Sequence, residues 1–99
     1  MSDTPYKVFY FSAPWCPPCQ TFGPIVQEVS KDFPDIDVIK LNIDEEEGQE
    51  LGFKYGIHSI PTLVSEHAHD LQGAVTDNVL RAWFNHVRAT EGAINGLNA

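Results

Sequence analysis

The two cysteines of this chain stand three positions apart, in the run Ala13-Pro14-Trp15-Cys16-Pro17-Pro18-Cys19. Thiols at that spacing can cycle between dithiol and disulfide, supply half of a metal site, or close a small structural loop. The flanking residues help to discriminate. An apolar, aromatic run from Val8 to Phe11 precedes the pair and an amphipathic pattern follows it, so Cys16 falls where a strand delivers the chain to the first turn of a helix. Unpaired N–H groups and the helix dipole favour negative charge there, and thiol pKa values in such motifs drop from about 8.5 to roughly 3.5–7.5. Cys16 is therefore the expected nucleophile. Cys19, a turn further in, is expected to be more buried, protonated and able to resolve a mixed disulfide by attacking Cys16. Pro17 and Pro18 restrict the loop and should hold the two sulfurs at bridging distance.

The competing uses of the pair are weaker. A closed zinc site needs two further ligands, and with no third cysteine they would have to come from His58, His67, His69 or His86. His67 and His69 alternate along a segment that reads as a strand or hairpin tip, the pattern of exposed polar side chains, and no metal site is expected. A disulfide closing so short a loop removes little unfolded-state entropy, so stability alone is a poor reason for one. Two inert buried cysteines fit badly beside prolines at a helix start.

The elements that must position these residues follow from periodicity. Lys7 to Ser12 reads as a buried strand, and Phe22, Ile25, Val26, Val29 and Phe33 recur at helical spacing, which predicts a helix from Pro17 or Pro18 to about Phe33. Proline is tolerated in its first turn, whereas Pro24 should kink it. Asp37 to Asn42 is a second strand. Asp44 is the expected N-cap of a second helix, with Glu45, Glu46 and Glu47 in its first turn and an end before Gly56. A third strand begins after Pro61, and Asp70 to Gly73 could pair with it as a fourth. Thr76 then caps a last helix whose apolar stripe is Val79, Leu80, Trp83, Phe84 and Val87. The order βαβαββα predicts an α/β domain with a central mixed four-stranded sheet flanked by three helices, its closing strand pair antiparallel.

Bulk properties limit the function. A length of 99 residues allows one domain, with a core over about residues 6–90 and a frayed tail over 91–99, where two glycines accompany little apolar content. A net charge of −8 with only six scattered Lys and Arg excludes the clustered basic surface that nucleic acid or an anionic membrane requires. The first fifteen residues carry no basic segment leading a long apolar run, so the expected address is a reducing cytosol, where disulfides are transient. A monomer is expected.

Taken together, these stretches resemble the thioredoxin family. Ala13 to Cys19 is similar to its WCxPC active site, with Pro24 at its helix proline. Lys40 to Asp44, "KLNID", resembles the strand that follows the active site, and Lys54 to Leu63, "KYGIHSIPTL", the approach to its cis-proline. Gly73 and Ala74 match the pair that closes its substrate groove. The similarity spans roughly Val8 to Val87. It implies a thioredoxin-like fold and a protein-disulfide reductase in which Cys16 attacks a substrate disulfide and Cys19 releases the reduced product. Trp15, Pro17 and Pro18 would flank the nucleophile. A cis Pro61 would leave the Ile60 backbone free for an extended substrate segment, and Gly73 and Ala74 would complete the rim. No bound cofactor is implied; electrons would come from NADPH through thioredoxin reductase.

Three departures stand beside the resemblance. Only a few residues precede the first strand, so the family's opening strand and helix are expected to be missing. The Pro61 to Gly73 segment is short. Tyr10 occupies the place where the family commonly has a buried aspartate assisting proton transfer at the resolving cysteine, and a phenol near pKa 10 cannot act as a base at neutral pH. Lys40 and His58 are the alternative proton-transfer candidates. Two rival functions also fit the residues: a glutaredoxin-like reductant charged by glutathione, and a binding subunit whose groove around Trp15, Ile60 and Ala74 holds a partner protein.

Overall fold

A computed structural model describes residues 6–97. The elements are β1 (Tyr6–Ser12), α1 (Pro17–Ser30), β2 (Ile36–Asn42), α2 (Glu46–Lys54), β3 (Thr62–Ser65), β4 (Leu71–Gln72) and α3 (Asp77–Leu97). The strands form one sheet in the order β2-β1-β3-β4. β1 runs parallel to β2, from Tyr6 opposite Ile36 to Ser12 opposite Asn42, and antiparallel to β3, with Phe11 opposite Thr62. β3 and β4 pair antiparallel. This is the mixed four-stranded, three-helix arrangement predicted from the element order.

β1 is interior to the sheet because both of its faces are apolar. Successive side chains on a strand point to opposite faces. Val8 and Tyr10 accordingly join Phe22, Val26 and Val29 of α1 and Leu80, Trp83, Phe84 and Val87 of α3 in the larger core. Phe9 and Phe11 join Leu41, Val64 and, from α2, Leu51 in the smaller one. One strand therefore anchors both layers of helices.

Four details depart from the sequence expectation. First, α1 ends at Ser30 and not Phe33, because Phe33 precedes Pro34 and the pre-proline position disfavours the helical backbone. Phe33 stays buried in the following turn, edge-on to Phe84 at 5.1 Å. Second, the N-cap of α2 is Glu45, with no side-chain cap bond. The Asp44 carboxylate is instead taken by the Trp15 indole N–H at 2.8 Å. Third, Val79 is 46% exposed while Leu80, Trp83, Phe84 and Val87 are buried; it lies 100° around the helix from Leu80 and falls off the stripe. The Thr76 cap is present, its Oγ1 accepting the Val79 N–H at 3.3 Å.

Fourth, residues 91–97, expected to fray, continue α3. Tertiary contacts hold this turn. Glu91 is buried and its carboxylate accepts the His67 backbone N–H at 2.8 Å. Gly92 lies against Tyr6, so closely that a Cβ there would stand 3.3 Å from Tyr6 Oη. Asn98 and Ala99 lie outside the described residues. No helix among those described is long and apolar enough to cross a membrane.

α3 is also tied to the turn before β2. Arg88 donates to both oxygens of Asp35, at 2.7 and 2.6 Å, and its guanidinium lies 4.4 Å from the centroid of the Phe33 ring. The Arg88 bond holds the Asp35 carboxyl below its ordinary pKa. A depressed carboxyl pKa adds stability above the unfolded value, and that stability is lost as pH falls through the folded value. The pair is partly exposed, so its worth is about 1 kcal/mol or less. Asp35→Asn should lower the unfolding temperature at neutral pH, and the difference from wild type should shrink toward zero below about pH 4, as measured by thermal unfolding across pH.

Candidate active site

The chain leaves β1 at Ser12 and turns through Ala13 to Trp15, with the Cys16 N–H bonded to Ala13 O at 3.2 Å. Cys16 is the N-cap of α1, in an extended backbone conformation, and Pro17 and Pro18 fill the first helical positions. Their missing N–H groups cost nothing there. The first amide of α1 that needs an acceptor from the cap is that of Cys19, and it donates to Cys16 Sγ at 3.2 Å. A sulfur thus takes the place usually held by a Ser or Asp oxygen.

Cys16 and Cys19 are joined in a disulfide with their Cα atoms 5.2 Å apart. The expectation that Cys19 would be the more buried does not hold: Cys16 is 3% and Cys19 6% exposed. Ile43 and Ile60 close over both, together with Ala13. What separates the two sulfurs is the cap position, which belongs to Cys16 alone. Trp15, Pro17 and Pro18 are exposed around the pair.

Opposite Cys16 stands the Ile60–Pro61 peptide, which is cis. Cys16 Sγ lies 4.0 Å from the Ile60 carbonyl oxygen. Neither the Ile60 N–H nor its C=O has a backbone partner among the described residues. Gly73, at φ 86°, donates its N–H to Pro61 O at 2.8 Å, which holds β4 against the cis-proline, and Ala74 follows it into solvent.

An open groove of about 400 Å³ runs from Trp15 to α2, lined among others by Ile43, Gly52, Phe53, Ile57, His58 and Ile60. Gly73 and Ala74 are not part of that lining; they border Pro61 through the Gly73 bond. Phe53, 91% exposed, and Ile43 were missed in the sequence reading. The available signal for Phe53 was a large aromatic residue in a helix whose start is acidic. Gly48 also lines the groove, and a Cβ there would overlap the Asn42 carbonyl. Glycine at this position lets α2 sit directly on the end of β2 and so fixes the floor of the groove.

The three proton-transfer candidates occupy different surroundings. Tyr10 is 3% exposed, packs edge-on to Phe22 at 6.0 Å, and has the only buried side-chain polar atom without a partner among the described residues. Burial pushes its pKa up, with the nearby Ser12 hydroxyl opposing in part although it does not reach hydrogen-bonding geometry. The phenol is therefore neutral at physiological pH. Lys40 pairs with Tyr10 in the β1–β2 register but its side chain is exposed. His58 is exposed on the groove wall. The structure gives no hydrogen bond from any of the three to either cysteine.

These features can be set beside known proteins. The family model described as Thioredoxin matches residues 2–86. The thioredoxin of Rickettsia bellii is 40% identical over 90 residues, which cover 86% of this chain and 83% of that one. Among solved structures, oxidized thioredoxin O2 from Arabidopsis thaliana superposes with a TM-score of 0.69 at 29% identity, over 84% of this chain and 75% of that one. The thioredoxin of Fasciola hepatica superposes at 0.71 with 26% identity, over 84% and 81% of the two chains. With a dithiol pair bridged at the start of α1 on this sheet, the chain belongs to the thioredoxin family and is a thiol-disulfide oxidoreductase of the protein-disulfide reductase type.

Proposed function

We propose that the chain works in the reducing direction in the cytosol, with Cys16 attacking and Cys19 resolving, and that thioredoxin reductase recharges it with electrons from NADPH. The observation that carries the division of labour is the Cys19 N–H donated to Cys16 Sγ at 3.2 Å. An N-cap sulfur gains from negative charge, because the amide and the helix dipole both favour the thiolate. Cys19 has no such position.

The reaction then runs as two exchanges. The Cys16 thiolate attacks one sulfur of a substrate disulfide, forms a mixed disulfide and expels the other substrate sulfur as a thiolate. The Cys19 thiolate next attacks Cys16 Sγ, releases the second substrate thiol and leaves the Cys16–Cys19 disulfide present in the structure. Two electrons pass from the protein dithiol to the substrate. The N–H and C=O of Ile60 beside Cys16, which have no backbone partner among the described residues, suit β-type pairing with an extended substrate segment. The groove between Trp15 and Phe53 suits an apolar side chain of the partner, one wall held by the Trp15 to Asp44 bond. Tyr10 serves as a neutral core phenol, leaving deprotonation of Cys19 without a buried base.

Insulin reduction tests the whole scheme. With NADPH and thioredoxin reductase as sole donor, wild type should turn over; Cys16→Ser should fall to the uncatalysed rate, and Cys19→Ser should accumulate the mixed disulfide. Turnover with glutathione alone would favour the glutaredoxin-like reading, and a cellular role that survives both serine substitutions would favour the binding subunit. For Tyr10, removing an unpartnered hydroxyl should be neutral or stabilising by up to about 1 kcal/mol, so Tyr10→Phe should not lower the denaturant midpoint. Tyr10→Asp should speed disulfide exchange near neutral pH, and an unchanged rate would count against the missing-base account.

A further inference from the structure

We propose that the seam between the β3–β4 hairpin and α3 binds a divalent cation, Zn²⁺ or a similar borderline metal, through His67, Glu91 and Glu66. The site lies at the far end of β3 from Pro61, away from the disulfide. One ligand atom from each residue lies within 4.8 Å of the others. Tetrahedral zinc with bonds of about 2.0–2.2 Å needs ligand atoms about 3.3 Å apart, so rotation of two exposed side chains, Glu66 and His67, closes the set.

Glu91 is the built part of the site. It is buried, and burying a carboxylate is costly unless a cation or donors compensate. One oxygen, Oε2, is held by the His67 backbone N–H at 2.8 Å. That bond orients the carboxylate and leaves Oε1 facing His67 Nδ1 at 2.7 Å. A cation at this point replaces the shared proton, which leaves to solvent, and Nδ1 and Oε1 each retreat by a few tenths of an ångström. The Oε2 bond is undisturbed and becomes the outer support of a ligating carboxylate.

The donor chemistry selects the ion. One imidazole nitrogen with two carboxylates and room for water suits zinc, cobalt or nickel, whereas calcium and magnesium favour all-oxygen sets. The chain's net charge of −8 raises the local concentration of any cation. A bound ion would clamp the hairpin to α3, so binding must raise stability. His69 and His86, with rings 4.7 Å apart on the same seam, are the competing ligands.

The test uses the full chain with its disulfide intact, so that the cysteines cannot ligate. ZnCl₂ titrated calorimetrically in a non-chelating buffer at neutral pH should show one saturable equivalent and raise the unfolding temperature. His67→Ala and Glu91→Gln should each weaken binding at least tenfold and remove the thermal shift, Glu66→Gln should weaken it less, and Glu28→Gln, an exposed carboxylate on α1 outside the ligand set, should bind the ion as wild type does. His67 is exposed, so its variant keeps the test open if Glu91→Gln proves unstable. Absence of saturable binding, binding indifferent to His67→Ala, or loss only in the His69→Ala, His86→Ala double variant would each overturn the proposal.

Discussion

The active end of this protein depends on one hydrogen bond, from the Cys19 amide to Cys16 Sγ at 3.2 Å. It exists because a strand ends, the chain turns over four residues, and a helix begins with two prolines that have no amide to offer. A Ser or Asp oxygen would cap the helix as well; a sulfur there ties helix stability to thiol chemistry. The same amide that completes α1 is the one that meets the Cys16 sulfur.

Holding that cap in place is the work of β1. It is paired on both edges, and its alternating side chains root it in two cores. A strand fixed in all these directions leaves its C-terminal end little freedom, so Cys16 is presented against the Ile60 carbonyl reproducibly. The cis Pro61 belongs to the same scheme. It is fully buried and bonded through its carbonyl to Gly73, next to the Ile60 carbonyl that Cys16 Sγ faces at 4.0 Å.

The outward-facing apolar residues have a counterpart logic. Trp15 and Phe53 remain exposed, and both line the groove that also takes in Ile60. Exposed aromatics at the mouth of a site are the residues from which a partner gains most on binding. Tyr10 is the inverse case. Its phenol is enclosed, uncharged and without a partner among the described residues.

Much of this was legible in the residues. The CxxC between an apolar run and an amphipathic one, the prolines, the capping Thr76 and the alternation of strand and helix patterns are local signals, and local propensity with hydrophobic period decides them. Fold class, the reactive pair and Cys16 as the cap-side thiol follow from that alone. What the tertiary structure decided are matters of who lies next to whom. Asp44 serves Trp15 and not a helix end; Glu91, which reads as the start of a polar tail, is buried against His67 and carries α3 on to Leu97. Cys16 is as buried as Cys19 because Ile43 and Ile60, distant in sequence, close over both. Periodicity reports which face of an element is apolar; only the packed chain fixes which distant side chain meets a given polar atom.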